Sequence, residues 1–267
     1  MIRRGNSLLK NIFKIALGLL LTITIFYLVN RIFIKKNTEK YGENIIFLNS
    51  EELFIILKED KDDYYKSFYS SDFKARNINS IDEYINKIKK SVSNFTDEDI
   101  DKIKKSILNA NNKLSKISFT WFDGNKSLTI PWKLGIVNGK LYENGLPHTR
   151  NDIIILSKGK LNSYNIESLT NTLIHEKVHI YQKIYKNDIL KYLSENNFKR
   201  VKKRSEDDNT RSNPDLDNWI YQDSSEKLYK AIYNNNPNSI EDIEYYPINK
   251  QSYEHPFEKM AIYIENI

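Results

Sequence analysis

The stretch "TLIHEKVHIYQK", residues 172–183, decides how this chain is read. It places two of the four histidines, His175 and His179, four residues apart, with Glu176 directly after the first. At 100° per residue the two imidazoles fall within about 40° of each other on a helix, with Thr172 and Gln182 in the same sector. Leu169, Leu173, Ile180 and Ile184 flank that polar stripe on one side, and Ile174, Val178, Tyr181 and Tyr185 on the other. A helix apolar on both flanks of a polar stripe is largely buried, so the histidines sit at the bottom of a recess. The pattern predicts a helix from about Ile166 to Tyr185 with Asn165 as its cap.

Zinc prefers neutral imidazole nitrogens, and a pair at i, i+4 delivers two of them to one ion without disturbing the helix. Glu176 then stands beside the site as a general base for a zinc-activated water. The competing reading is a chance HExxH, which is rare in a chain so poor in histidine.

These residues resemble the zincin metallopeptidases, in which an HExxH helix packs beneath a small sheet. The metzincin form needs glycine at 182 and histidine at 185; Gln182 and Tyr185 exclude it. The segment Tyr253-Glu254-His255-Pro256-Phe257-Glu258-Lys259-Met260-Ala261 is similar to the Pro-x-Glu-x-x-Ala helix of gluzincins. The resemblance implies Glu258 as third zinc ligand, with Ala261 letting the two helices approach. Glu254 is the rival ligand, weakened because Pro256 places it before the helix, and His255 is a third alternative. Many gluzincins carry an acid four residues after the ligand glutamate; Ile262 stands there, leaving Asp215, Asp217 or Glu254 to orient a histidine.

A zincin usually adds a donor for the developing oxyanion. His148 and Arg150, just before the run Asp152–Leu156 (DIIIL), and Tyr253 are the candidates. His148 also reads as a turn residue, and Tyr253 is one of eighteen tyrosines, most of which serve packing. If DIIIL is the edge strand above the motif helix, a peptide substrate can lie along it by strand addition.

Residues 1–36 differ from everything after them. The run Ile15–Val29 is apolar and flanked by Arg3, Arg4, Lys10 and Lys14 before it, and by Arg31, Lys35, Lys36 and Lys40 after it. Counting apolar residues beyond Lys14 and Arg31 brings it to the length of a spanning helix. Without a small-residue cleavage site, it reads as an uncleaved membrane anchor rather than a signal peptide. The basic flanks balance, so orientation is not set. Residues 1–36 hold seven Lys or Arg and no acid, leaving 34 basic against 35 acidic residues beyond. A near-neutral body is not a nucleic-acid footprint. The absence of cysteine excludes disulfides, thiolate catalysis and cysteine-ligated zinc.

The rest reads as one body of α+β class: a helical region at 37–116, then a zincin-like region at 117–267. Start signals at Ser50, Ser80 and Thr96 predict three helices. Residues 117–122 and 128–137 read as extended, and DIIIL as a strand. The charged stretch from Asn187 to Asn213 reads as a solvated loop or exposed insertion, Trp219–Gln222 and Lys227–Tyr233 as strands, and Pro256 as the start of a last helix.

The expectation is thus a single-pass membrane protein: an N-terminal transmembrane helix, then a small mixed sheet packed on the HExxH helix. It hydrolyses peptide or protein substrates with Zn2+ held by His175, His179 and Glu258. The alternative is a catalytically inactive, metal-binding zincin-like domain acting as a membrane-tethered interaction module.

Overall fold

A computed structural model describes residues 44–206, 209–246 and 255–267, besides Thr22 and Thr24. The chain divides into two units, Met1–Glu43 and Asn44–Ile267. Apart from Thr22 and Thr24, the anchor expected over residues 1–36 lies outside the described residues, as do Tyr253 and Glu254. Among the described residues, no helix is long and apolar enough to cross a membrane.

The second unit is α+β. It opens with β1 (Ile45–Phe47), α1 (Ser50–Glu59), α2 (Ser70–Ala75), α3 (Ile81–Ser91), β2 (Val92–Ser93) and α4 (Asp97–Leu114). The three expected helix starts carry side-chain caps: Asn49 accepts from the amides of Glu51 and Glu52, Ser80 from Glu83, and Thr96 from Asp99. Each satisfies amides that the first helical turn leaves without partners. The hairpin β3 (Ser118–Phe119) and β4 (Phe122–Asp123) follows, then α5 (Gly124–Thr129), β5 (Trp132–Val137), β6 (His148–Arg150) and β7 (Ile153–Ser157). Next come α6 (Lys158–Ser163) and the motif helix α7 (Ile166–Ile184), capped by Asn165, whose side chain accepts from the Ser168 amide. The chain ends with α8 (Lys186–Glu195), β8 (Lys199–Lys203), β9 (Trp219–Gln222), β10 (Leu228–Tyr233), β11 (Ile243–Tyr246) and α9 (Pro256–Glu265).

The main sheet is mixed, in the order β1-β5-β7-β6 with β2 also on β5. Strands β1, β5 and β7 are parallel, while β6 runs antiparallel to β7 at the edge. Thus β1 and β2, from the region expected to be helical, belong to the sheet beside the motif helix. Side-chain alternation sorts β5 and β7 between two faces. Val137, Ile153 and Ile155 share a buried cluster with Leu53 and Leu57 of α1 and Tyr84 and Ile88 of α3. On the other face, the Trp132 indole donates to Asn111 of α4 at 3.0 Å and lies against Lys177 of α7. A sheet covered on both faces explains why β7 is buried throughout and reads as an unbroken β-branched run.

Three expectations are corrected. DIIIL is an inner strand, because the chain turns at Asn151 and Asp152 and His148–Arg150 pairs outside it. Leu128 and Thr129, expected to open an extended segment, end α5 instead, since Asp123 caps a helix by accepting from the amides of Asn125 and Lys126. The charged stretch after 187 contains α8 and β8: Ile189, Tyr192 and Leu193 make a buried stripe, and β8 is the exposed, lysine-rich edge of the antiparallel sheet β11-β10-β9-β8. Charge on an edge strand protects it from pairing and is no sign of a loop.

Candidate metal centre

Helix α7 runs beneath the main sheet, between α4 and α9. It carries His175, partly exposed, and His179, fully buried. Helix α9 begins at Pro256 with His255 as its cap, the imidazole Nδ1 accepting from the Phe257 amide. Glu258 therefore lies in the first turn of α9, where the partial positive charge of the helix end favours a carboxylate.

The three side chains converge. The Nε2 atoms of His175 and His179 are 3.0 Å apart, and Glu258 Oε2 lies 3.2 Å from the first and 3.5 Å from the second. Ligands of a tetrahedral zinc at about 2.0–2.1 Å stand about 3.3 Å from one another, so this donor set has the span of one face of such a site. Each imidazole is held by its other nitrogen. His175 Nδ1 donates to Glu265 at 2.9 Å and His179 Nδ1 to Gln182 Oε1 at 2.9 Å. That tautomer leaves two Nε2 lone pairs and a carboxylate oxygen facing each other, a cluster of acceptors that needs a positive charge. Proton affinity reports the same need. Burial opposes charge on both histidines, but Glu258 and Glu265 raise His175 well above its ordinary value, and Glu258 and Asp215 raise His179. Burial likewise opposes charge on Glu258, and the two imidazoles outweigh it and hold the carboxyl far below the usual range. The residues fit a divalent cation of the zinc class.

Glu176 is 4% exposed, and its Oε2 is buried without a hydrogen-bond partner. Burial first, and then the charge of Asp215, push this carboxyl up to about 8, against the pull of His175 and His179. Glu176, His175 and Glu258 line a cavity of about 440 Å³ together with Pro147, His148 and Asn213–Asp215.

The other expected residues take different places. His148 reaches the cavity, but Nδ1 donates to Leu146 O at 2.9 Å and Nε2 accepts from the Tyr142 hydroxyl at 3.3 Å. Burial lowers its proton affinity. Arg150 is fully buried and paired with Asp60 and Asp62 at 2.6 and 2.7 Å. Of the three candidate oxyanion donors, His148 and Arg150 are therefore committed elsewhere, and Tyr253 lies outside the described residues. His255 is also engaged, through Nε2 with Trp219 O and Asp217 at 3.1 Å each, so it is a helix cap and no ligand. Neither Asp215 nor Asp217 touches a histidine of the cluster. Asp215 instead accepts from the amide and hydroxyl of Thr149, each at 2.6 Å.

The acid that holds His175 is Glu265, two helical turns beyond Glu258 rather than one. Both lie on the α9 face that meets α7, and their spacing of seven is the sequence signal that could have found it. Gln182 has a second task, donating from Nε2 to Phe257 O at 2.9 Å and so joining the two helices beside the cluster.

The cavity wall is fixed by a buried ionic network. Glu143, at a left-handed φ of 43°, accepts from Arg76, Tyr64 and Tyr84. Arg76 also donates to Ser212 O, and Asp72 accepts from the Ser212 amide at 3.0 Å, tying down the segment that carries Asn213 and Asp215. A non-glycine residue in this backbone region persists only where its surroundings over-determine it.

No protein-family model matches the chain, and neither a curated protein nor a solved structure is significantly similar to it.

Proposed function

We infer that residues 44–267 form a zincin-like, zinc-dependent peptidase domain, tethered to a membrane by the apolar, basic-flanked segment at 1–36. One observation carries the reading: two imidazoles and a carboxylate converge within 3.0–3.5 Å, with an unpartnered buried glutamate next to the first of them.

His175, His179 and Glu258 would hold the ion. When bound, zinc supplies a Lewis acid that polarises a carbonyl and acidifies water. Glu265 and Gln182 keep the imidazole Nε2 atoms aimed at it. Glu176 accepts the proton lost by the attacking water and passes it to the departing amine, and its raised proton affinity suits a group that must both take and release a proton.

The second reading, a metal-binding module without catalysis, is favoured by one fact: His148 and Arg150 have no donor to spare for an oxyanion. Metal content separates chance from site. The purified full chain is expected to carry one zinc, lost in Glu258→Ala with helical content retained. A folded wild type that takes up no zinc would refute both readings.

A further inference from the structure

The edge strand beside the metal cluster is sealed by the protein's own side chains. Thr149 is the middle residue of β6, and Asp215 receives its amide while Lys183, one turn beyond His179 on α7, donates to its carbonyl at 3.2 Å and its hydroxyl at 2.7 Å. The backbone groups that would pair with an added strand are thus occupied. Asp215 also lines two cavities, the one of about 440 Å³ at the metal cluster and one of about 810 Å³ along α7 toward α8. The larger cavity shares Gln182 and Phe257 with the surroundings of the metal cluster. Its lining includes Ile184 and Leu190, which are 49% and 51% exposed despite being large and apolar. Exposed apolar side chains gathered in a recess next to a reactive centre are the mark of a binding surface.

We propose that the two cavities are one peptide groove, closed in this structure by the Asp215–Thr149 contact, and that its ligand is an extended peptide with a bulky apolar side chain. The inference rests on the peptidase reading. With Asp215 turned away, the Thr149 amide is free to donate to a peptide carbonyl, while Lys183 still covers the Thr149 carbonyl. A peptide running along β6 from the metal cluster then places an apolar residue over Ile184 and Leu190. The segment carrying Asp215 is anchored at Ser212 by Asp72 and Arg76, so release of Asp215 needs no release of the whole strap.

Binding tests this without requiring turnover. The probes are a peptide hydroxamate bearing phenylalanine and acetohydroxamate, which binds zinc with no side chain, titrated calorimetrically into the zinc-loaded full chain. Asp215→Ala is expected to tighten the peptide hydroxamate about tenfold more than acetohydroxamate, which reads whatever loss of the Asp215 charge does at Glu176 and His179. Asp215→Asn removes the charge but keeps an acceptor for the Thr149 amide, so it should give little of that gain. Leu190→Asp should weaken the phenylalanine probe about tenfold and spare acetohydroxamate. Equal gains in Asp215→Ala and Asp215→Asn would assign the effect to charge and overturn the latch. Unchanged peptide affinity in Asp215→Ala or in Leu190→Asp would overturn the groove. If neither hydroxamate binds a chain that retains its zinc, the peptidase reading fails along with the proposal, whereas acetohydroxamate binding alone leaves the metal reading standing.

Discussion

Glu265 Oε2 lies 2.9 Å from His175 Nδ1, and this contact leaves Nε2 of His175 facing His179 and Glu258. Carboxylates in this position usually change metal affinity by 10- to 100-fold. Glu265→Ala should weaken zinc binding by about that factor, and Glu265→Gln, which keeps an acceptor oxygen, by less. A chelator-competition titration reads both, and equal affinities in all three proteins would remove Glu265 from the site.

Lys177, between the motif residues Glu176 and Val178, faces away from the His175–His179–Glu258 cluster. It is fully buried, donates to the carbonyls of Ile130 and Pro131 at 2.5 and 3.1 Å, and lies 4.2 Å from the Trp132 ring centroid. Lys177→Ala should cost about 2–3 kcal/mol of stability by leaving buried carbonyls without a donor, while zinc stoichiometry stays at one. Denaturant unfolding and metal analysis on the same sample check the separation.

The Arg76–Glu143 pair predicts an acid limit. Burial would raise the Glu143 carboxyl, but Arg76 outweighs it and holds the group at about 2, against an ordinary value of 4.5. A carboxyl depressed on folding contributes stability that is complete above its unfolded value and is lost as pH falls toward its folded one. Thermal midpoints should therefore drop between about pH 4.5 and pH 2. Glu143→Gln should flatten that dependence and cost about 3–5 kcal/mol at neutral pH, because Arg76 then stays buried without its partner.

Ala261 is fully buried and shares its α9 face with Glu258 and Glu265, which both reach His175. A larger side chain there should push α9 from α7. Ala261→Leu is expected to cost about 1–3 kcal/mol and to weaken zinc binding. Unfolding curves with and without zinc test it: the stabilisation given by the metal should shrink in the variant.

The sequence was most informative where local chemistry and burial agreed. The motif helix runs Ile166–Ile184 against an expected 166–185, because Asn165 is a good cap and the apolar flanks repeat at helical spacing. The Pro256 start of α9 was legible for the same kind of reason. Strand β6 was not, since His-Thr-Arg has no strand pattern and is extended only because β7 pairs with it. Helix α8 was hidden by its charges, although Ile189, Tyr192 and Leu193 carry the i, i+3, i+4 signal. In the candidate site, the histidine pair was visible as spacing and Glu258 through resemblance. Asp215 and Lys183 on Thr149 could not be found, because that contact joins three elements distant in the chain.

Hydrolysis of a denatured protein substrate by the zinc-loaded full chain, compared between wild type and Glu176→Gln, tests the central claim most directly. The account predicts cleavage by the wild type that a chelator stops, and at least a hundredfold less by a Glu176→Gln protein that still carries one zinc. Equal cleavage by the two proteins, or none by a zinc-loaded wild type, would contradict it.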